Sequence, residues 1–127
     1  MSDNTAEFES IAPQFVVPNV VRTAEWYRDN LGFELLGYFW DPPVYAIVGR
    51  GGVKIHFGKG DSDATATNVS IRRGSLDAYV LVSNIQELYD EFISKGIKVP
   101  YPPTRRIYDR TEIEIVDCDG HTLVFGN

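Results

Sequence analysis

Apolar residues in the second half of the chain recur at Ile85, Leu88, Phe92 and Ile93. These offsets of 0, 3, 7 and 8 lay one stripe along a helix. Asn84 is a good N-cap with Glu87 three residues on, a capping-box spacing, and Gly96 after Lys95 supplies a left-handed stop. Leu76 to Val82 before this helix is apolar and β-prone. Ile97 to Tyr101 after it reads as extended until Pro102 and Pro103 interrupt. The first half repeats the pattern. Asn19 caps a helix whose apolar face is Val20, Ala24, Tyr27 and Leu31, Gly32 ends it, and the strand-like runs Gln14–Val17 and Phe33–Trp40 flank it.

The ends of the two halves also correspond. Val44–Gly49 and Thr111–Asp117 read as strands, each leading through a glycine turn (Arg50-Gly51-Gly52, Cys118-Asp119-Gly120) into a last strand, Val53–Gly58 or His121–Gly126. Asn19 precedes Asn84 by 65 residues and Phe57 precedes Phe125 by 68. The chain therefore reads as an α+β protein of two tandem βαβββ modules forming a cupped mixed sheet with helices outside. One unit cannot bury both its helix face and its sheet face alone, and two can. The expected divisions are a flexible arm at 1–10, module one at 11–58, a linker at 59–74 and module two at 75–127, together one structural domain.

Composition narrows the partners. The net charge of −6 disfavours nucleic acid, which needs a basic face. No apolar run is long enough to cross a membrane as a helix, and the polar, acidic start lacks the features of a signal peptide. Cys118 is the lone cysteine, so no internal disulfide or CxxC pair exists, and a reducing, cytoplasmic location is expected. No GxSxG elbow, HExxH or phosphate-cradling loop is present. Asp117 and Asp119 flank Cys118 and are expected to raise its thiol pKa rather than activate it. His121, beside the glycine turn, is expected to be exposed.

The segments Val17-Pro-Asn-Val20, Trp26-Tyr27-Arg-Asp-Asn-Leu-Gly-Phe33 and Asp117-Cys-Asp-Gly-His121 resemble the vicinal oxygen chelate superfamily of glyoxalases, extradiol dioxygenases and bleomycin resistance proteins. The resemblance runs from Pro13 to Phe125. Val82-Ser-Asn-Ile-Gln-Glu-Leu-Tyr-Asp-Glu-Phe92 is similar to the bleomycin resistance branch in particular. It implies the cupped fold, a homodimer with a cleft shared between chains and, in metal-dependent members, ligands on the first and last strand of each module. Counting from the turns puts those positions at Ala12, His56, Asp77 and Val124, with Gln14 replacing Ala12 if the strand slips. Alanine and valine coordinate nothing, so the set Gln14, His56 and Asp77 falls short of a catalytic metal site.

Strand alternation puts His56 on the cavity side with Lys54. Tyr38, Trp40 and Tyr45 surround the Asp41-Pro42-Pro43 turn, and Tyr101, Arg105, Arg106 and Tyr108 mark the loop from Pro100 to Arg110. Aromatic rings with polar tips suit a flat ligand. Tyr38, Trp40, Tyr45, His56, Asp77, Tyr79, Tyr101, Arg105 and Tyr108 are therefore the expected ligand-binding residues, and Tyr27 and Phe92 are expected in the core. The expected function is binding a small aromatic or cationic molecule in a cleft, without catalysis and without a cofactor. The rivals are a glyoxalase-like lyase or extradiol-dioxygenase-like enzyme using Zn, Ni, Mn or Fe, and an interaction module with no small ligand.

Overall fold

The computed structural model describes residues 5–127. Module one runs β1 (Gln14–Val17), α1 (Val20–Leu31), β2 (Glu34–Phe39), β3 (Tyr45–Arg50) and β4 (Val53–Lys59). After a short α2 (Asn68–Ile71), module two runs β5 (Ala78–Leu81), α3 (Ile85–Ser94), β6 (Thr104–Arg105), β7 (Thr111–Val116) and β8 (Thr122–Gly126). The strands form two four-stranded mixed sheets with orders β1-β4-β3-β2 and β5-β8-β7-β6. In each, the first strand runs parallel to the last and the other neighbours are antiparallel. The α+β class and the duplicated βαβββ unit are thus as the sequence predicts. Of the predicted arm, residues 1–4 lie outside the described residues, while 5–10 are exposed. Among the described residues no helix is long and apolar enough to cross a membrane.

The helix ends follow their capping chemistry. The Asn19 side chain accepts from the Arg22 N–H and the Asn84 side chain from the Glu87 N–H, each satisfying a donor that the first turn leaves open. Gly32 closes α1 in the left-handed region at φ 71°, as only glycine does without strain. Replacing Asn19 or Asn84 by alanine is expected to cost about 1 kcal/mol each. A thermal melt would show this as a fall of a few degrees.

Three local expectations need correction. Ile97–Tyr101 forms no strand; the second strand of module two is the two-residue β6, displaced past Pro102 and Pro103, whose rings and missing N–H groups oppose pairing. On α3, Ile85, Leu88 and Phe92 are buried but Ile93 is 47% exposed, because it lies at the edge of the apolar stripe. The predicted linker contains α2, whose four residues the polar composition did not reveal.

Both sheets turn their helix-side residues into one common core, which joins Phe15, Tyr27, Leu31 and Phe57 of module one to Phe92, Ile113, Leu123 and Phe125 of module two. The modules grip each other reciprocally. On one side, α1 meets the β7–β8 turn: Tyr27 Oη donates to Asp117 Oδ2 at 2.5 Å, while Arg22 and Thr23 bind Asp119. On the other, Arg50 at the β3–β4 turn makes a two-point pair with Glu91 of α3 at 2.8 and 2.7 Å and also donates to the Leu31 carbonyl.

His121 completes the first contact. It is 2% exposed, not the open turn residue the sequence predicts, because Phe15 of the other module stacks on its ring at 4.3 Å and 8°. Since both helix sides face inward, the opposite face of each sheet looks outward. Val16, Phe39, Tyr79, Leu81 and Val116 are exposed there.

Candidate functional site

The outward face of the first sheet carries Gln14, Tyr45 and His56. Alternation places them there: Phe15 on β1, Ala46 and Val48 on β3, and Ile55 and Phe57 on β4 are buried toward the helix, and their neighbours face the other way. Register then brings Gln14 opposite His56 across the parallel β1–β4 pair. The Gln14 amide donates to the Tyr45 hydroxyl at 3.1 Å, and that hydroxyl lies 2.8 Å from His56 Nδ1. A hydroxyl that accepts from the amide donates onward to Nδ1, which assigns the ring proton of a neutral His56 to Nε2. Phe39 packs edge-on against Tyr45 at 6.2 Å.

The outward face of the second sheet is built around Glu112, a residue the sequence reading did not single out. Glu112 is 3% exposed. Tyr79 Oη donates to its Oε2 at 2.6 Å and Tyr108 Oη to the same oxygen at 2.5 Å, while Arg106 Nε lies 3.3 Å from Oε1. Burial pushes the Glu112 carboxyl up, but the hydrogen bonds from Tyr108, Tyr79 and Arg106 outweigh it and hold the group below the usual carboxylate range. Burial and the bond to Glu112 together push Tyr79 up to about 12. One position further along the same face, Glu114 accepts a longer bond from Tyr101 Oη at 3.4 Å, and the Arg106 guanidinium lies 5.1 Å from the centre of the Tyr101 ring.

Of the residues expected to bind a ligand, Tyr45 and His56 meet on the first face, and Tyr79, Tyr101 and Tyr108 on the second. Trp40 is 75% exposed at the hairpin turn, with φ 69°. Tyr38 is placed elsewhere. A bulge between Leu35 and Gly37 shifts the alternation of β2, so Tyr38 pairs with Ala46 and packs against the core on the helix side. Arg105 pairs with Asp109 on the loop, and Arg106 rather than Arg105 reaches the face.

The expected ligand register also moves. β1 begins at Gln14, so Gln14 and not Ala12 stands opposite His56, and Tyr79 and not Asp77 stands opposite Val124. Both Asp77 carboxylate oxygens are occupied by backbone N–H donors, those of Asn68 and Thr122 at 2.9 Å each. Among the described residues no three His, Cys, Asp or Glu side chains are grouped to hold a metal ion. The donor set of one chain does not fit a catalytic metal.

A cleft and a thiol away from these faces differ in character. A cleft of about 430 Å³ between the modules is lined by Leu31, Phe33, Val53, Leu88 and Phe92 and bounded by the satisfied Arg50–Glu91 pair. Arg50 and Glu91 serve the module contact there, and Asn84 caps α3. Cys118 is an inert thiol: burial and then the charges of Asp119 and Asp117 push it up to about 12.

Residues 9–125 match the Glyoxalase/Bleomycin resistance protein/Dioxygenase superfamily. No curated protein matches the chain in sequence. The structure is similar to that of TioX from Micromonospora sp. ML1, with 18% identity, 94% of this chain and 98% of that one covered, and a TM-score of 0.73. It is similar to the bleomycin-binding protein of Streptomyces verticillus complexed with copper(II)-bleomycin, at 18% identity, 95% and 97% coverage and TM-score 0.73. A virulence protein of Salmonella typhimurium gives 20% identity, 96% and 98% coverage and TM-score 0.68. At these identities the likeness shows the fold alone.

Proposed function

The chain belongs to the Glyoxalase/Bleomycin resistance protein/Dioxygenase superfamily, and from that premise we propose that it binds a small aromatic or cationic molecule without transforming it. One observation carries this reading. Four tyrosines on the outward faces have their hydroxyls tied to titratable side chains: Tyr45 to His56, Tyr79 and Tyr108 to Glu112, and Tyr101 to Glu114. Fixed polar tips hold the rings as stacking surfaces at little further entropic cost on binding. Sequestration needs no general base or nucleophile. The bleomycin-binding neighbours make bleomycin a reasonable first probe.

A homodimer is part of the proposal. The two outward faces of one chain flank a common core and do not cover each other. A cleft combining His56 of one face with Glu112 of the other therefore takes two chains. The apolar residues exposed on both faces, among them Phe39 and Leu81, support such a closure. A cytoplasmic location agrees with Cys118 persisting as a thiol.

Sedimentation equilibrium together with a thermal-shift screen of flat aromatics and organic cations tests this reading. A dimer is expected, with a ligand at about 100 times its Kd stabilising by about 2.7 kcal/mol. A monomer unaffected by every compound would instead favour the interaction module. The metalloenzyme alternative rests on Gln14 and His56 being register partners. Stoichiometric Zn, Ni, Mn or Fe in protein purified without chelators would establish that alternative in place of simple binding.

A further inference from the structure

We propose that Arg106 is an internal placeholder for an organic cation, its guanidinium occupying the space between the Tyr101 ring and the Glu112 carboxylate into which the ligand's positive group binds. This rests on the reading of the face as a ligand surface, and adds the charge of the ligand and the residue that competes with it.

The carboxylate is held tightly and its cation loosely. Burying Glu112 on a sheet face that otherwise looks to solvent is costly unless the charge is compensated. Oε2 receives two short hydroxyl bonds, but Oε1 receives only the Arg106 Nε at 3.3 Å, a one-point contact where a guanidinium can offer a two-point fork. The Arg106 side chain is 37% exposed against 4% for that of Glu112.

The loop allows the arginine to leave. The Arg106 N–H donates to the Arg110 carbonyl at 2.7 Å and the Asp109 N–H to the Arg106 carbonyl at 3.1 Å, so the turn is closed by its own backbone. Swinging the side chain into solvent breaks none of these bonds. Charge points the same way. Glu112 and Glu114 share the face about 7 Å apart along β7, and among the described residues Arg106 is the one cation hydrogen-bonded to either, Arg105 being paired with Asp109 and Arg110 acting on Tyr79 through its charge alone. The face thus holds one more carboxylate than it has hydrogen-bonded cations. Tyr79, Tyr101 and Tyr108 present π-faces around the carboxylates, which suits a planar or alkylated organic cation better than a strongly hydrated one.

Fluorescence titration of the full chain tests this, with ethidium as a planar aromatic cation and 1-anilinonaphthalene-8-sulfonate as a planar aromatic anion. Removing the competitor in Arg106→Ala is expected to tighten ethidium about fivefold to tenfold, whereas Arg106→Lys stays within about twofold and Glu112→Gln weakens it about tenfold or more. The sulfonate is expected to gain nothing. Circular dichroism establishes that each variant is folded, and Arg106→Gln, which keeps the side-chain bulk, provides a second neutral form. If ethidium binds the wild type but binds Arg106→Ala and Arg106→Gln no better, or if the sulfonate gains equally, the placeholder is refuted while the binding function stands. Failure of ethidium to bind wild type and variants alike would refute the placeholder and count against small-molecule binding itself.

Discussion

Replacing Asp117 by alanine is expected to lower the melting temperature by about 10 °C or more, the largest effect of any single change at a polar site in this protein. The Asp117 carboxylate accepts from Tyr27 Oη at 2.5 Å and from the backbone N–H groups of Asp119 and His121 at 2.8 and 2.9 Å. His121 Nδ1 lies 3.4 Å away. Removing it strands several buried donors at once, each costing about 1–3 kcal/mol. The sum is about 3–5 kcal/mol, which at about 3 °C per kcal/mol gives the stated fall. Asp29→Ala is the control: its side chain is 60% exposed in a surface ion pair with Arg28, so little or no change in melting temperature is expected.

The same pair gives stability a pH signature. Burial pushes Asp117 up, but the His121 ring beside it and hydrogen bonds from Tyr27 and the Asp119 N–H prevail and hold it below its ordinary 3.8. Its contribution is therefore present above that value and lost as pH falls through the lower folded value. Burial pushes His121 down, but its contacts with Asp117, and the charges of Asp77 and Asp119, prevail and hold it above 6.5. Its contribution is complete below 6.5 and lost as pH rises through the higher folded value. The pair stabilises fully between 3.8 and 6.5. Urea midpoints measured across pH should show that window in the wild type and not in Asp117→Ala. A profile unchanged by the substitution would remove the pair as its source.

Gly126→Ala is expected to produce the second largest effect, at the outward face of the second sheet rather than the core. The Tyr79 ring crosses directly over Gly126 to reach Glu112, and a methyl group there would stand 2.1 Å from Tyr79 Oη and 2.7 Å from Cζ. No side chain tolerates such a contact, so Tyr79 must swing away and Glu112 loses one of its two short bonds. A cost of about 1–3 kcal/mol is expected. The Tyr79 ionisation, now near 12, should also move back toward that of an ordinary tyrosine. Ultraviolet titration of the phenols would follow it. An unaltered titration with an unaltered melting temperature would mean that Tyr79 does not depend on the gap at Gly126.

The duplication was legible because it is written in local chemistry. Asn19 and Asn84 cap, Gly32 and Gly96 stop, and the glycine turns recur in step, all within a few residues of what they control. The site was less legible because its residues depend on distant partners. His121 looks like an open turn residue until Phe15, over a hundred positions earlier, covers it. Glu112 occupies a polar position in the alternation of Thr111–Val116, and only folding shows that Tyr79, Tyr108 and Arg106 converge on it. Tyr38 packs on the helix side, apart from the hairpin aromatics around it, because one bulged residue inverts the alternation that follows, and β2 gives no local sign of it.

The reciprocal grip between the modules also sets an order of events during synthesis. Tyr27 and its acceptor Asp117 are separated by 90 positions, which at ribosomal speed is roughly 5 to 20 s. Throughout that interval α1 is complete, yet the acidic turn that receives Tyr27, Arg22 and Thr23 has not been made. The nascent first module must wait with an unpaired phenol and an uncovered Phe15 until Asp117 and His121 of the β7–β8 turn have been made.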